Sequence, residues 1–292
     1  MTKQWIWKAF EHVRKNPILY LPDIFMTFII SLTLALIYWY TGAAGLFQLL
    51  KSTPATSAST ITSFLSEKWR ELIISGATFF FITFIFGATP LIFKFTMFRE
   101  LLTQEKISLR TTWKERKGYF WPVIILRIII FVFGALAFAF AILLALALYF
   151  FLLLIVPKNA ALGITFALGI IEALCILVYL KLALLFRYPI MFLKQVKNPA
   201  RVLQESNALL RKDPQLVIST AGVVILLLII FGSTIYLMNV AVNYGLSFLA
   251  FTILATICTA LWTIISQILN ITVDLWSTMY IFLKWKEEQP KQ

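Results

Sequence analysis

Six long, mostly apolar runs set the terms for this chain: roughly 18–41, 72–93, 119–156, 161–186, 215–238 and 248–273. Crossing the hydrocarbon core of a bilayer takes about 20 such residues. In hydrocarbon the backbone has no water to bond, so a spanning run must close its own hydrogen bonds as a helix. Composition agrees: the 292 residues are 61% hydrophobic and 13% charged, with mean hydropathy +0.88. Soluble domains average about 45–50% apolar and about 25% charged. No globular core of this size would hide so much apolar surface. Soluble domains, disordered chains, nucleic-acid modules and disulfide scaffolds are set aside. The predicted fold is all-α and integral to the membrane. It has six transmembrane helices arranged as three hairpins in a single polytopic domain, 1–292, with basic amphipathic interfacial helices on the cytoplasmic side.

The net charge of +13 is organised by position. Twenty of the 26 Lys and Arg fall within 1–16, 94–118, 187–213 and 284–292, all flanking apolar runs. Lys51, Lys68, Arg70 and Lys158 fall on the opposite side, and Arg127 and Lys181 lie within spans. Cytoplasmic loops collect Lys and Arg, so the reading is a multi-pass protein of the cytoplasmic membrane with both termini cytoplasmic. Anionic lipid headgroups are the expected partner of this charge, and nucleic acid is not. The run from Ile18 to Tyr40 exceeds the ~7–15 residues of a signal-peptide core and reads as a retained first span.

Between the runs, 42–60 is small and polar with Pro54, and reads as a loop. Ile61, Phe64, Leu65, Trp69 and Leu72 recur at helical spacing and predict a short amphipathic helix at the outer interface. Residues 94–118 and 187–213 read as basic interfacial helix, and 239–247 as a short uncharged loop. The run 119–156 is longer than one crossing needs. With no polar turn to interrupt it, it reads as one long helix, the alternative being a break near Gly134. Gly134, Ala137, Ala141 and Ala145 give it a small-residue face suited to close packing at the centre of the bundle.

An inner-side repeat follows. Arg14-Lys15-Asn16-Pro17 precedes span 1, Arg116-Lys117-Gly118 precedes span 3, and Arg211-Lys212-Asp213-Pro214 precedes span 5. Each time cations end a basic helix, a breaker or turn residue follows, and a span begins. Arg14, Lys15, Arg116, Lys117, Arg211 and Lys212 are therefore the candidate lipid-headgroup contacts.

At these residues a resemblance emerges. The tract Asn198-Pro199-Ala200 through Glu205-Ser206-Asn207-Ala208-Leu209-Leu210-Arg211-Lys212 resembles the "ALxxSWxLxK" segment of a group of six-span bacterial and archaeal membrane proteins. That group includes the YciC-like proteins and the membrane domain attached to some glycerophosphodiester phosphodiesterases. Trp7-Lys8-Ala9-Phe10 with Asn16-Pro17 and Leu21-Pro22 is similar to the opening of archaeal members. Ile107-Ser108-Leu109, Trp113 and Phe120-Trp121 resemble the tract before span 3. The likeness covers nearly the whole chain in layout; Ser206-Asn207 stands where the group has Ser-Trp. It implies a six-helix membrane domain with no established activity. The phosphodiesterase chemistry belongs to a separate soluble domain, for which this chain has no room.

No P-loop, HExxH, paired CxxC or GxSxG occurs. The single histidine, His12, and two cysteines, Cys175 and Cys258, supply no usual metal-ligand set. No catalytic residue, metal or cofactor is assigned, and the expectation is a protein that is not an enzyme. Ionisable groups at membrane depth mark functional sites by default. Glu172 lies near the midplane of span 4. Lys181, at the inner end of that span, and Arg127, early in span 3, are placed to snorkel. On span 6, Thr263, Gln267, Asn270 and Asp274 fall within about 60° of one another at ~100° per residue. That stripe is expected to face the bundle, with Arg127 and Lys181 at the depth of Asp274. Two functions remain open. One is a lipid-interacting, membrane-organising or scaffolding protein, with a protein partner or a second copy unspecified. The other is a transporter or channel subunit using Glu172 and the polar stripe.

Overall fold

The structure, a computed structural model, describes residues 2–42, 57–247 and 252–288. Among them there are helices and turns and no strand. In chain order the helices are α1 (Thr2–Lys15), α2 (Leu21–Thr41), α3 (Ser57–Phe81), α4 (Ala88–Gln104) and α5 (Leu109–Leu152). They continue as α6 (Lys158–Ala183), α7 (Arg187–Leu193), α8 (Pro199–Lys212), α9 (Pro214–Ser247) and α10 (Thr252–Glu288). Six helical stretches are long and apolar enough to cross a membrane: Pro17–Thr41, Leu65–Gln104, Leu109–Leu152, Lys158–Leu193, Pro214–Val242 and Ile257–Glu287. That is the composition of a multi-pass membrane protein.

Two of the three expected breaks have one geometry. Asn16 leaves α1 at φ −125°, ψ 74°, and Asp213 leaves α8 at φ −136°, ψ 72°. The following proline disfavours the helical region for both. Their side chains stabilise the turn: Asn16 Nδ2 donates to His12 O at 2.8 Å, and the Leu216 N–H donates to Asp213 Oδ1 at 2.9 Å. Nothing comparable occurs at Lys117-Gly118. A single glycine costs a helix only about 1 kcal/mol, and α5 runs through Gly118 and Pro122 without ending. The stretch 94–118 is instead divided further back. Helix α4 continues to Gln104, Glu105 takes a left-handed conformation (φ 58°), and Ser108 caps α5. Fully buried Glu100 fixes that turn by accepting the Ser108 N–H at 2.7 Å.

Other boundaries shift for similar reasons. The short outer helix over 61–72 is continuous with span 2 in α3. The stretch 187–213 splits into α7 and α8 around Lys194–Asn198. Residues 239–247 continue as helix in α9, with Trp262 of α10 donating its indole N–H to the Asn239 side chain. Most of the loop expected after span 1 (43–56) and the start of span 6 (248–251) lie outside the described residues. Helix α5 is a single unbroken element from Leu109 to Leu152, well beyond the length of one crossing.

The core gathers at the end of the bundle where the basic stretches lie. Ala9 and Val13 of α1, Ile92 and Phe98 of α4, Val123 and Leu126 of α5, Phe192 of α7 and Tyr280 and Phe282 of α10 are buried there. Phe95 stacks on Tyr188 at 4.4 Å and on Phe282 at 5.4 Å. Trp276 pins α1 to α10 by donating to Ile6 O at 2.8 Å. Away from this end the helices pack mainly as α5 with α6 and α9 with α10. Their outer faces are uncovered: Leu154 is 83% exposed, Phe166 70% and Leu237 65%. Surface of that kind suits hydrocarbon rather than water. The small-residue face of α5 meets α6, with Ala141 buried and the Ala145 Cβ 3.7 Å from where a Gly169 Cβ would stand; Gly134 has open space around it. Helix α5 packs on α4 and α6, and in its second half the small-residue face lies against α6.

His12, half-buried on α1, is held below its usual pKa of 6.5 by burial and then by Lys8, with Lys15 and Lys286 adding to this and Glu11 opposing it. The folded state therefore keeps it neutral, and the unfolded chain binds the extra proton. The contribution is intact above about pH 6.5 and is lost as pH falls from there through the depressed value. The melting temperature of the purified protein is expected to fall on acidification below about pH 6.5, and His12→Asn to flatten that part of the profile. An unchanged profile in the variant would show that His12 is not the group responsible.

Candidate functional site

At the end of the bundle where the basic stretches lie, the helices leave a cavity of about 680 Å³. Its polar wall carries Asp23, Lys94, Arg127, Lys181, Arg187 and Asp274. Asp23 stands in the first turn of α2, just after Pro22, where the helix dipole favours a carboxylate. Lys94 projects from α4 with its side chain 7% exposed. Its ammonium lies 2.9 Å from Asp23 Oδ2 and 2.5 Å from Asp274 Oδ2. One buried cation thus joins α2, α4 and α10, and two carboxylates compensate it. A buried charge without such partners costs several kcal/mol.

Arg127 has a different task. Between α3 and α4 the chain makes a π turn, Ile82–Phe86, closed by Gly87 N–H donating to Ile82 O. A π turn displaces carbonyls from the α ladder. Arg127 Nη1 donates to one of them, Phe84 O, at 3.0 Å, and its guanidinium lies 4.8 Å from the Phe84 ring centre. Gly87 makes the fit possible. A Cβ there would sit 2.2 Å from Thr83 O, 2.7 Å from Met26 Cε and 3.3 Å from Arg127 Nη1.

Lys181 and Arg187 bracket the end of α6. Ser206 of α8, buried, donates to Ala183 O at 2.6 Å and holds that end in place. Arg187 Nη1 donates to Leu184 O at 2.9 Å, and its guanidinium lies over the Tyr188 ring. Its Nε is buried without an acceptor among the described residues. Lys181 is exposed to the cavity and makes no ion pair among the described residues.

The structure therefore brings Arg127, Lys181 and Asp274 to one cavity. It does not bring Glu172, Thr263, Gln267 or Asn270 there. Glu172 is half-buried on α6, away from that wall. Thr263, Gln267 and Asn270 are exposed on α10 rather than turned into the bundle, and Thr263 bonds back to Thr259 O. The stripe has the expected period, but its members, Asp274 included, are exposed on α10, and only Asp274 lines the cavity. Among the headgroup candidates, Arg14, Lys15, Lys117, Arg211 and Lys212 are exposed, and Arg116 is half-buried over the Trp113 ring at 4.3 Å. Lys15 also pairs with Glu11 at 2.6 Å. Asp23, Lys94 and Arg187 were not singled out from the sequence. Asp23 had a signal, an acid inside an apolar run, whereas Lys94 reads as an ordinary inner-loop cation. The chain matches no protein-family model, no curated protein and no solved structure.

Lys94→Met is expected to destabilise the protein by about 3 kcal/mol, because it leaves two neighbouring carboxylates uncompensated. Adding Asp23→Asn and Asp274→Asn should restore much of the loss, as read by thermal unfolding in detergent. Equal stability of Lys94→Met and the parent protein would remove the triad as a structural element. Gly87→Ala is expected to cost about 1–3 kcal/mol, because its methyl group meets a backbone carbonyl rather than a movable side chain.

Proposed function

We propose that this chain is a non-catalytic, multi-pass protein of the cytoplasmic membrane that interacts with anionic lipid and organises the membrane or scaffolds a partner. Both termini lie in the cytoplasm in this reading. The observation that carries it is the repeated unit at α1 and α8. Each is a 14-residue basic amphipathic helix, Thr2–Lys15 and Pro199–Lys212, ending in exposed Arg-Lys ahead of a proline-marked turn into an apolar helix. Such helices suit the interface plane, with apolar faces inward and cations among headgroups. The likeness in layout to the YciC-like group supports the same reading, since that group is a membrane domain without an established activity.

A transporter or channel subunit is the second reading. It is favoured by the cavity, where Arg127, Lys181 and Asp274 meet. Glu172, Thr263, Gln267 and Asn270 do not line that cavity.

The test neutralises the exposed pairs together: Arg14→Gln, Lys15→Gln, Arg211→Gln and Lys212→Gln. Each basic residue near an anionic surface contributes about 1 kcal/mol. The enrichment of anionic over zwitterionic lipid around the reconstituted protein, read by co-purified lipid analysis, is expected to fall several-fold. Unchanged enrichment would defeat the interfacial lipid reading.

A further inference from the structure

We propose that the inner cavity binds one anionic phospholipid, with its phosphate held by Lys181, Arg187 and Arg127 and its acyl chains leaving between α6 and α9. This rests on the lipid reading above and adds a site, a stoichiometry and a headgroup charge.

Charge is the first argument. The cavity wall carries four cations, Lys94, Arg127, Lys181 and Arg187, against two carboxylates, Asp23 and Asp274. Both carboxylates are engaged by Lys94. The other three cations have no carboxylate partner among the described residues, and the wall keeps an excess of two positive charges. Arg127 uses one N–H on Phe84 O, and Arg187 uses one on Leu184 O. A guanidinium offers five, so both retain donors. The Nε of Arg187 is buried and lacks an acceptor among the described residues. Unpaired cations beside low-dielectric walls attract an anion and coordinate phosphate well.

The opening is the second argument. Leu177 and Val178 of α6, with Ile225 and Leu228 of α9, line the cavity and are also 49%, 58%, 54% and 47% exposed. The cavity therefore opens sideways through an apolar slot between two helices long enough to span the bilayer. An amphiphile finds phosphate donors at one end of the cavity and hydrocarbon contact along the slot. The volume of the cavity is typical of small-molecule sites. That holds a headgroup and glycerol while the tails extend into the slot. The cationic end lies at the level of the basic stretches, where the headgroups of the cytoplasmic leaflet stand in the orientation proposed above.

The experiment uses the full chain, delipidated in mild detergent and offered equal amounts of phosphatidylglycerol and phosphatidylcholine, with bound lipid counted by native mass spectrometry. One retained phosphatidylglycerol per chain is expected. Lys181→Gln with Arg187→Gln should weaken its retention by about tenfold or more, in keeping with loss of charged hydrogen bonds. Leu228→Trp, which leaves every cation of the cavity in place, should block the slot and abolish retention of that lipid even if the charge variant fails to fold. Arg211→Gln with Lys212→Gln should leave the single tight lipid in place. The proposal fails if the two lipids are retained equally, or if Leu228→Trp retains lipid like the parent. It also fails if excess inorganic phosphate displaces the lipid and binds Leu228→Trp as well as the parent, the behaviour of a soluble-anion site. Retention that follows Arg211 and Lys212 instead would reject this cavity while leaving the surface reading intact. Unchanged surface enrichment in the quadruple variant, with the single tight lipid still retained, would overturn the surface reading and leave this site standing.

Discussion

A peptide group in hydrocarbon finds no water, and each one left unbonded costs several kcal/mol. That constraint makes the described residues nearly all helix, and it also explains where the polar side chains stand. At four points where the chain leaves the α ladder near the core, a side chain takes up a released group. Arg127 bonds Phe84 O at the π turn, Ser206 bonds Ala183 O at the end of α6, Arg187 bonds Leu184 O in the turn after it, and Asn16 bonds His12 O where α1 stops. These irregularities gather at the end of the bundle that holds the protein core, where such partners can be supplied. The second half of α5 has few polar side chains and stays regular. At the core end Arg127, Arg187, Ser206 and Asn16 thus serve the backbone, and a ligand has the donors that remain.

Much of this was legible in the sequence and some of it was not, for physical reasons. The spanning helices follow from the length of the apolar runs, a local property. The breaks at Asn16-Pro17 and Asp213-Pro214 are local too, since proline and a capping side chain act on neighbouring residues. Gly118 resembles them in charge context but lacks both devices, and α5 passes through it. The Lys94 triad was hidden because its partners lie 71 and 180 residues away. A lysine at the end of an apolar run looks like a headgroup cation until α2 and α10 close around it. The stripe on α10 shows the complementary limit. Spacing along one helix places Thr263, Gln267, Asn270 and Asp274 on one face, but only the packing of its neighbours fixes what that face meets, and here all four are exposed while Asp274 alone of them reaches Lys94.

The cations around the cavity differ in how completely their charge is used, and this gives the cavity a direction. Lys94 is enclosed by two carboxylates and closes one side as a neutral-to-acidic cluster that ties three helices together. Arg127 stands between, with one donor on a carbonyl and no carboxylate. Lys181 and Arg187, at the end of α6, are the least committed. Removing water from such groups without supplying an anion is costly. A fold that sets them beside an apolar slot bears that cost unless water or an anion completes them. The cytoplasmic leaflet is where anionic lipid gives the most negative surface potential. If the basic stretches face that leaflet, the half-satisfied end of the cavity stands where negative headgroups are most concentrated.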